Sequence, residues 1–326
     1  MISVEIYSPE LKVRWDEVVR GSRNGTFLHL RDYMDYHSHR FSDMSLVAMR
    51  DGKPLAVLPA CREGDTLFSH RGLTYGGWLM PLRHFDASTM LHVWNLMLDL
   101  LREHGIKHLI YKPVPHIYHR YPAEEDLYAA FRCGARITQC NLSATIDLDE
   151  PLPFDRGNKS NVNVAVKNGV VVQESSDWNG YWQVLNALLE EKYGHPAVHS
   201  LQEIELLHSR FPHNIKLYTA TAAGELLAGV VMYYCGGEVA HSQYIASTPH
   251  GRELKALPAI FDFLIKLAAD DGYRYFDFGI STEQGGLYLN EGLSSQKCRM
   301  GGRGIVYNTY EIKLDNNNQP ATITVN

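Results

Sequence analysis

The sequence predicts an α/β (α+β) protein made of two copies of one unit, because its second half repeats the pattern of its first. The segments SLVAMRDGKPLAVLPA and IKLYTATAAGELLAGVVMYY each predict a strand, a polar turn and a second strand. Each is followed by an apolar strand with a Ser/His pair, an amphipathic helix, a glycine near the helix end and a further strand. Matched positions keep a nearly constant offset, as His70 does with His241 and Gly105 with Gly272.

Each copy closes with a helix-like segment and a final strand. In the first copy these are DLYAAFRCGARI and NLSATIDL, and in the second they are GLYLNEGLSSQKCRMGGRGI and VYNTYEIKL. The proline-containing polar stretch DEPLPFDRGNKSN interrupts the pattern, so we place the units at 1–150 and 151–314. Residues 315–326 lack an apolar pattern and predict either a flexible end or a strand added to one sheet.

Two helices are expected before the second copy of the repeat. They correspond to SDWNGYWQVLNALLEEKYG and SLQEIELLHSRFP. Ser200, followed three residues later by Glu203, is a capping-box signature for the start of the second helix. The Asn168-Gly169 pair in VAVKNGVVVQES predicts a tight turn or a helix C-cap.

Composition limits the class of protein. The chain has 326 residues, 45% of them hydrophobic and 21% charged, which is ordinary for a globular protein with a real core. No apolar run is long enough for a membrane span, and the N-terminus lacks the apolar segment of a signal peptide. Five scattered cysteines predict reduced thiols in a cytoplasm. The formal charge of -6 argues against a broad nucleic-acid surface, so no DNA partner is expected, although the charge does not exclude a local basic groove.

Familiar catalytic and metal-binding signatures are absent. The sequence contains no GxxxxGK[ST], GxGxxG, HExxH or GxSxG, which removes several enzyme classes. His195 and His199 have the four-residue spacing of a metal pair, but Pro196 breaks a helix between them and no ligand cluster completes a site. We therefore predict no metal site.

The segment TPHGRELKALPAIF is compatible with an anion-binding helix start. Gly251 and Arg252 precede an amphipathic helix, where backbone N–H groups can face a phosphate. The alternative is an ordinary loop that leads into a helix with Pro258 near its beginning.

The chain resembles the GNAT (GCN5-related N-acyltransferase) superfamily, and within it the FemABX-like branch, which carries two tandem GNAT-like units. The segments that carry the resemblance are NGTFLHLRDYMDYH, YGGWLMP, AHSQYIAST, YRYFDFGIST and LNEGLSSQKCRMGG, over about residues 5 to 314. The resemblance implies that each unit is a mixed, mostly antiparallel sheet flanked by helices.

The resemblance also implies acyl or aminoacyl transfer with no permanently bound cofactor. Fem proteins move an aminoacyl group from a charged tRNA to the peptide of a cell-wall precursor, whereas relatives use acyl-CoA donors. Lys297 matches a family lysine, but Gln296 stands where an aromatic residue often precedes it. The segment HGRELKA stands where the usual CoA pyrophosphate loop would fall and lacks its paired glycines, which counts against ordinary acetyl-CoA use without excluding it. Gly251 and Arg252 in this segment are the donor-binding candidates.

Acyl transfer to an amine needs a base, a group that stabilises the oxyanion, and correct positioning. Lys297 suits the oxyanion, and Asp277, on the face opposite Phe276 and Phe278, can orient the donor or accept a proton. His241 is a candidate general base. Further substrate-binding candidates come from both copies of the repeat: Gln243, Tyr244, Glu283, Asn290, Tyr75 and Lys112.

Strand alternation places His241 and Gln243 on one face and Tyr244 on the other. Core packing for His241, a surface position for Lys297 and a turn cap for Asp277 are the structural alternatives to these roles.

Three functional hypotheses follow from these observations. The first is an acyl- or aminoacyltransferase acting on an amine of a cell-envelope or polysaccharide precursor, with acyl-CoA or aminoacyl-tRNA as donor. The second is an acyl-CoA-dependent N-acyltransferase acting on a small metabolite or sugar. The third is a degenerate GNAT pair that binds a ligand or partner without turnover. The sequence leaves the donor, the acceptor and the oligomeric state open.

Overall fold

A computed structural model describes residues 1–314, so the predicted tail at 315–326 lies outside the described residues. The described chain divides into two compact units. The first comprises residues 1–141, 284–287 and those from Val306 onward, and the second comprises 142–283 and 288–305. The expected boundary was at 150/151. The observed boundary lies between residues 141 and 142, inside the strand Arg136–Asp147, and the last strand, Arg303–Lys313, contributes residues to both units.

The first unit contains two sheets and four α-helices. The helices are α1 (Lys12–Gly21), α2 (Arg31–Met34), α3 (Ala87–Glu103) and α4 (Glu125–Arg132). The strands are β1 (Ile2–Ile6), β2 (Ser42–Asp43), β3 (Leu46–Arg50), β4 (Lys53–Leu58), β5 (Cys61–Glu63), β6 (Thr66–Phe68), β7 (His108–Tyr111), and parts of β8 (Arg136–Asp147) and β16 (Arg303–Lys313). One sheet has the order β1-β3-β4, and the other runs β2-β5-β6-β7-β16.

The second unit has a longer sheet and six α-helices. Its strands are β9 (Val171–Ser175), β10 (Ile215–Ala222), β11 (Glu225–Cys235), β12 (Val239–Ser247), β13 (Tyr275–Ile280), β14 (Thr282–Glu283) and β15 (Tyr288–Leu289). Its helices are α5 (Arg156–Lys167), α6 (Trp178–Tyr193), α7 (Leu201–Arg210), α8 (Pro249–Glu253), α9 (Ala256–Asp270) and α10 (Glu291–Arg299). The sheet order is β8-β13-β12-β11-β10-β9, and β14 and β15 form a separate hairpin.

Both units confirm a mixed, mostly antiparallel sheet. In each unit one pair of strands is parallel, β6 with β7 and β12 with β13, and a helix connects the two members of each pair. Such a crossover requires a connection of a dozen or more residues, which α3 and α9 supply. The remaining strand pairs in these sheets are antiparallel.

The core of the second unit lies between its sheet and α9. Phe276 and Phe278 of β13 are buried and pack against Phe261 of α9, with ring centroids 6.2 and 5.2 Å away. Full burial of one such side chain stabilises the fold by about 1.5–3 kcal/mol. Helix α6 covers the opposite face, where Tyr181 occupies the space that a side chain at Gly229 would need.

Local sequence signals correctly predicted two helix ends. The capping box of Ser200 and Glu203 is present at the start of α7. Asn168 is the C-cap of α5, and Gly169 has φ +71°, which resolves the earlier alternatives in favour of a helix end. Helix α5 itself was not predicted, since its first half, RGNKSN, contains almost no apolar residues.

The repeat is less regular than the sequence offset suggested. Asp277 is the parallel partner of His241, whereas the corresponding partners in the first unit are Ile110 and Phe68. The expected match between His241 and His70 is therefore wrong by two residues, and His70 lies beyond the end of β6. The polar pair exists in the second unit, and apolar residues replace it in the first.

Candidate active site

Strands β12 and β13 pair for three residues and then stop pairing. The partners are Val239 with Tyr275, Ala240 with Phe276, and His241 with Asp277. Beyond that point β12 continues to Ser247 and β13 to Ile280 without pairing to each other. His241 and Asp277 thus mark the end of the parallel pair.

Asp277 is a fully buried carboxylate whose two oxygens have different partners. Oδ1 accepts hydrogen bonds from Ser143 Oγ at 2.6 Å and Thr145 Oγ1 at 2.8 Å, while Oδ2 lies 2.7 Å from Nδ1 of His241. Burial by itself would raise the pKa of Asp277. The hydrogen bond and charge of His241, with the two hydroxyl donors, outweigh burial and lower that pKa to about 2.

The ionised Asp277 fixes the role of the His241 ring. An ionised carboxylate is an acceptor only, so Nδ1 of His241 must carry the proton that it shares with Oδ2. In the neutral ring Nε2 is then an acceptor. The side chain of His241 is 12% exposed whereas that of Asp277 is 0% exposed, so a substrate can reach only the histidine.

Lys297 is buried rather than on the surface. It lies on α10 with 3% exposure, and its Nζ donates to the carbonyl oxygens of Gly279 and Ile280, both at 2.8 Å. Burial lowers the pKa of Lys297 to about 8, and the negative charge of Asp277 acts in the opposite direction. Two of the three ammonium N–H groups are therefore engaged at the end of β13, and a third remains for another acceptor.

The end of β13 is irregular at the point that Lys297 contacts. Opposite β8, Asp277 pairs with Thr145 and Ile280 with Ser143, so β13 carries one extra residue between these two pairs. Gly279 has φ +77°, and a Cβ there would lie 3.4 Å from Cε1 of His241. Lys297 thus holds the bulge of β13, and the bulge in turn lies next to the ring of His241.

The predicted distribution of side chains along β12 is wrong because of a second bulge. His241 lies opposite Tyr233 and Tyr244 lies opposite Val231, while Gln243 has no partner on β11. Directly opposed residues of an antiparallel pair point to the same face. His241 and Tyr244 consequently share a face, and Gln243 is the extra residue.

Tyr244 connects this face to the loop between α6 and α7. Its hydroxyl lies 2.5 Å from Nδ1 of His199, and its ring packs edge-on against Trp182 at 5.4 Å. Burial raises the pKa of Tyr244 to about 12. Of the two histidines with the spacing of a metal pair, His199 is thus hydrogen-bonded to Tyr244. His195 has its Nδ1 3.0 Å from the carbonyl oxygen of Pro196.

Two predicted substrate-binding residues occupy the segment between β13 and α10. Asn290 caps α10, because its side chain accepts from the backbone N–H of Leu293 at 3.0 Å. Its own N–H donates to the carbonyl of Ser281 at 2.9 Å. Glu283 is exposed in the β14–β15 hairpin. A substrate contact at either residue stays a prediction.

Gly251 and Arg252 lie in the five-residue helix α8. The N–H of Gly251 donates to Thr248 Oγ1 at 2.9 Å, and Arg252 Nη1 donates to the carbonyl of Ser247 at 3.2 Å. A Cβ at Gly251 would lie 2.0 Å from the carbonyl oxygen of Leu227. These contacts give both residues a packing role, and donor binding there stays a prediction.

Tyr75 and Lys112 lie in the first unit. Tyr75 is buried, with its ring 4.5 Å from that of Tyr118, and its carbonyl lies 3.4 Å from Nε2 of His29. Lys112 follows β7 directly, and its Nζ donates to the carbonyl of Leu73 at 2.9 Å. Burial lowers the pKa of Lys112 to about 8.

Ser143 and Thr145 were missed in the sequence. They alternate with Ala144 and Ile146 in the strand NLSATIDL, so two hydroxyl side chains occupy one face while apolar ones occupy the other. All four residues are buried. A buried strand face made of hydroxyls is a signal that a charged partner lies opposite, but the sequence does not identify that partner as Asp277.

Comparisons with known proteins agree with this architecture. Residues 165–285 match the family model described as an acetyltransferase (GNAT) domain, a span that contains His241 and Asp277 and ends before Lys297. No curated protein matches the sequence significantly.

Three solved structures have similar folds. FemX is 14% identical over 98% of both chains, with a TM-score of 0.68. L-PGS from Bacillus licheniformis is also 14% identical, over 98% of this chain and 97% of that one, with a TM-score of 0.62. A tandem GNAT protein from the clavulanic acid biosynthesis pathway is 11% identical over 97% and 99%, with a TM-score of 0.51. At these identities the likeness establishes the fold.

Among residues 1–314, no helix combines the length and the apolar character that crossing a membrane would require.

Proposed function

We propose that this chain is a GNAT-type enzyme that transfers an acyl or aminoacyl group to an amine of a cell-envelope or polysaccharide precursor, on the premise that residues 165–285 match a GNAT acetyltransferase domain and that the fold is FemX-like. The reaction centre of the proposal is the His241–Asp277 pair in the second unit. The single observation that carries the proposal is the 2.7 Å contact between Nδ1 of His241 and Oδ2 of Asp277, at the end of the β12–β13 pair.

In the proposed reaction His241 is the general base. Nε2 of His241 takes a proton from the acceptor ammonium, and the lone pair of the neutral amine so formed attacks the carbonyl carbon of the donor. A C–N bond forms, the bond from the carbonyl to the donor oxygen or sulfur breaks, and the leaving group takes up the second proton that the attacking nitrogen releases. Asp277 keeps the ring oriented and stabilises the imidazolium as it forms. A positioned base typically contributes about 10²–10⁴-fold to the rate.

Lys297 is the proposed oxyanion group. Its Nζ is fixed by the carbonyls of Gly279 and Ile280, so its charge does not need to reorganise during the reaction. With a pKa of about 8 it is mostly protonated at neutral pH, and it therefore stabilises negative charge rather than removing a proton. Loss of one such donor typically costs about 2.7–4 kcal/mol of transition-state stabilisation.

The surroundings of α8 support a donor other than acyl-CoA. A pyrophosphate at a helix start needs free backbone N–H groups. Here the Gly251 N–H is already bonded to Thr248, and Pro258 at the start of α9 has no N–H. An aminoacyl-tRNA donor, as implied by the family resemblance, does not need that pyrophosphate site.

An acyl-CoA-dependent N-acyltransferase acting on a small metabolite or sugar is the second candidate. The observation in its favour is the family match, which is to an acetyltransferase domain. A protein that only binds ligands is disfavoured, because a fully buried carboxylate is costly to keep ionised and the His241–Asp277 pair uses it to orient a ring that solvent can reach.

The test combines binding with turnover. Calorimetric titrations with acetyl-CoA, free CoA and an aminoacyl-tRNA identify the donor, and UDP-sugar precursors are titrated in parallel as acceptors. Transfer is then followed with the donor that binds, using wild type and His241→Ala. We expect His241→Ala to reduce kcat at least about 100-fold while donor affinity stays within twofold. Low-micromolar CoA binding together with acetyl transfer would favour the acyl-CoA-dependent N-acyltransferase over the aminoacyltransferase. Full activity of His241→Ala would overturn the role of His241 as the general base.

A further inference from the structure

We propose that Ser143 and Thr145 are positioning residues that select the reactive tautomer of His241, an inference that rests on the proposed acyl-transfer function. Neither hydroxyl is hydrogen-bonded to the ring. Both donate to Oδ1 of Asp277, at 2.6 and 2.8 Å, and so act on the histidine through the carboxylate. Asp277 has 0% exposure, which means that its partners come from the protein.

The two hydroxyls have a direct effect on the protonation state of Asp277. Burial favours the neutral carboxylic acid, and hydrogen bonds to the carboxylate favour the ionised form. Ser143 and Thr145 donate to Oδ1, and Nδ1 of His241 lies at Oδ2. Without the hydroxyls, two of the interactions that oppose burial would be lost.

The protonation state of Asp277 in turn decides which nitrogen of His241 is basic. An ionised carboxylate accepts, so Nδ1 carries hydrogen and Nε2 keeps its lone pair. A neutral carboxylic acid donates its O–H to Nδ1, and the proton of the neutral ring then lies on Nε2. Nε2 then has no free lone pair and cannot act as a base. The Ser143–Thr145 pair therefore keeps the ring in the form that accepts a proton from the amine.

The geometry of β8 directs both hydroxyls toward Asp277. Ser143 and Thr145 are two residues apart on β8 and therefore share a face. Thr145 lies opposite Asp277 in register, and the extra residue of β13 brings Ile280 opposite Ser143. Both side chains thus converge on the same carboxylate oxygen.

The experiment reads the tautomer directly. Protein labelled with ¹⁵N-histidine is compared as wild type and as the double variant Ser143→Ala/Thr145→Val in long-range ¹H–¹⁵N spectra, with His241→Gln to assign the His241 signals. We expect one Nδ1–H tautomer in wild type and a mixture, or the Nε2–H form, in the double variant. With an identified substrate, kcat should fall about tenfold or more with KM within twofold. Thr145→Ser, which keeps the hydroxyl, should retain the wild-type tautomer and kcat.

Thr219→Val provides the control, because Thr219 is a buried threonine on β10 of the same unit. It should leave both the His241 spectrum and kcat unchanged. A double variant with a single Nδ1–H tautomer and wild-type kcat would overturn the positioning role. Full activity of His241→Ala would instead overturn the proposed base, and the spectrum of the double variant would still report whether the hydroxyls select the tautomer.

Discussion

The side chains of His241 and Asp277 are hydrogen-bonded, with Nδ1 2.7 Å from Oδ2, and the two residues are also the last parallel partners of β12 and β13. The second relationship explains the first, because neighbouring parallel strands bring side chains of one face into contact. In the first unit the same positions are held by Phe68 and Ile110, which cannot transfer a proton. The chemistry that we propose therefore belongs to the second unit.

Replacing Asp277 by asparagine should abolish most of the transfer activity. Asparagine is close to isosteric, but its amide can donate to Nδ1 and so favours the wrong ring tautomer; in the well-studied Ser-His-Asp enzymes this change costs about 10⁴ in kcat. We expect a fall in kcat of at least about 100-fold, measured by initial rates. Asp271→Asn, at an exposed carboxylate after α9, is the matched control and should keep wild-type activity. Equal activities of the two variants would refute a role for Asp277 in the chemistry.

Lys297→Met tests the oxyanion role while preserving the length of the side chain. The variant leaves the carbonyls of Gly279 and Ile280 without their donor, so we expect a loss of about 1–3 kcal/mol in unfolding free energy. We also expect kcat to fall by about 10²–10³. Denaturant unfolding and steady-state kinetics measure the two effects, with Lys266→Met, on the surface of α9, as control. A loss of stability without a loss of kcat would limit Lys297 to holding β13.

Local sequence patterns predicted much of this fold. The period of apolar residues located α3, α6 and α9, and the Ser200–Glu203 spacing located the start of α7, since both signals act within a few turns of chain. The position of Asp277 opposite Phe276 and Phe278 also followed from strand alternation.

The remaining features depend on contacts between distant segments. The bulge at Gln243 reversed the expected faces of β12, and a bulge is defined by the partner strand rather than by local propensity. Ser143 and Asp277 are more than a hundred residues apart, so no spacing rule joins them. Lys297 gave no sign in the sequence that it is buried, because its burial depends on the carbonyls of Gly279 and Ile280.

Stability should rise with pH in a way that depends on Lys297. Its folded-state pKa of about 8 lies below the ordinary value of 10.5, so between these two values the unfolded chain binds more protons than the folded chain. The unfolding free energy therefore increases as pH rises from about 8 to 10.5, and this contribution is lost again as pH falls through the folded pKa.

The measurement is the difference in unfolding free energy between wild type and Lys297→Met at pH 7.5, 9 and 10.5 (about the window set by the two pKa values). Subtraction removes the contribution of Lys112, whose pKa is also lowered to about 8. Wild type should gain up to about 3 kcal/mol on the variant across this range. A difference that stays constant with pH would show that Lys297 titrates normally.

The contrast between Gly251 and Gly292 tests whether α8 is a packed element. At Gly251 a Cβ would lie 2.0 Å from the carbonyl oxygen of Leu227, which is backbone and cannot move aside easily. Gly292, in α10, has 3.8 Å to its nearest neighbour, Asn290 Oδ1. We expect Gly251→Ala to cost about 1–3 kcal/mol through overpacking and Gly292→Ala to gain about 0.5–1 kcal/mol from helix propensity.

Urea unfolding of the two alanine variants measures both changes under one set of conditions. The comparison also bears on donor binding, because the N-cap of α8 lies against the same Leu227 carbonyl, to which Thr248 Oγ1 donates at 3.2 Å. If Gly251→Ala proved as stable as wild type, α8 would be able to move away from Leu227. The start of α8 would then be able to shift toward a phosphate, and the argument against an acyl-CoA donor would be weakened.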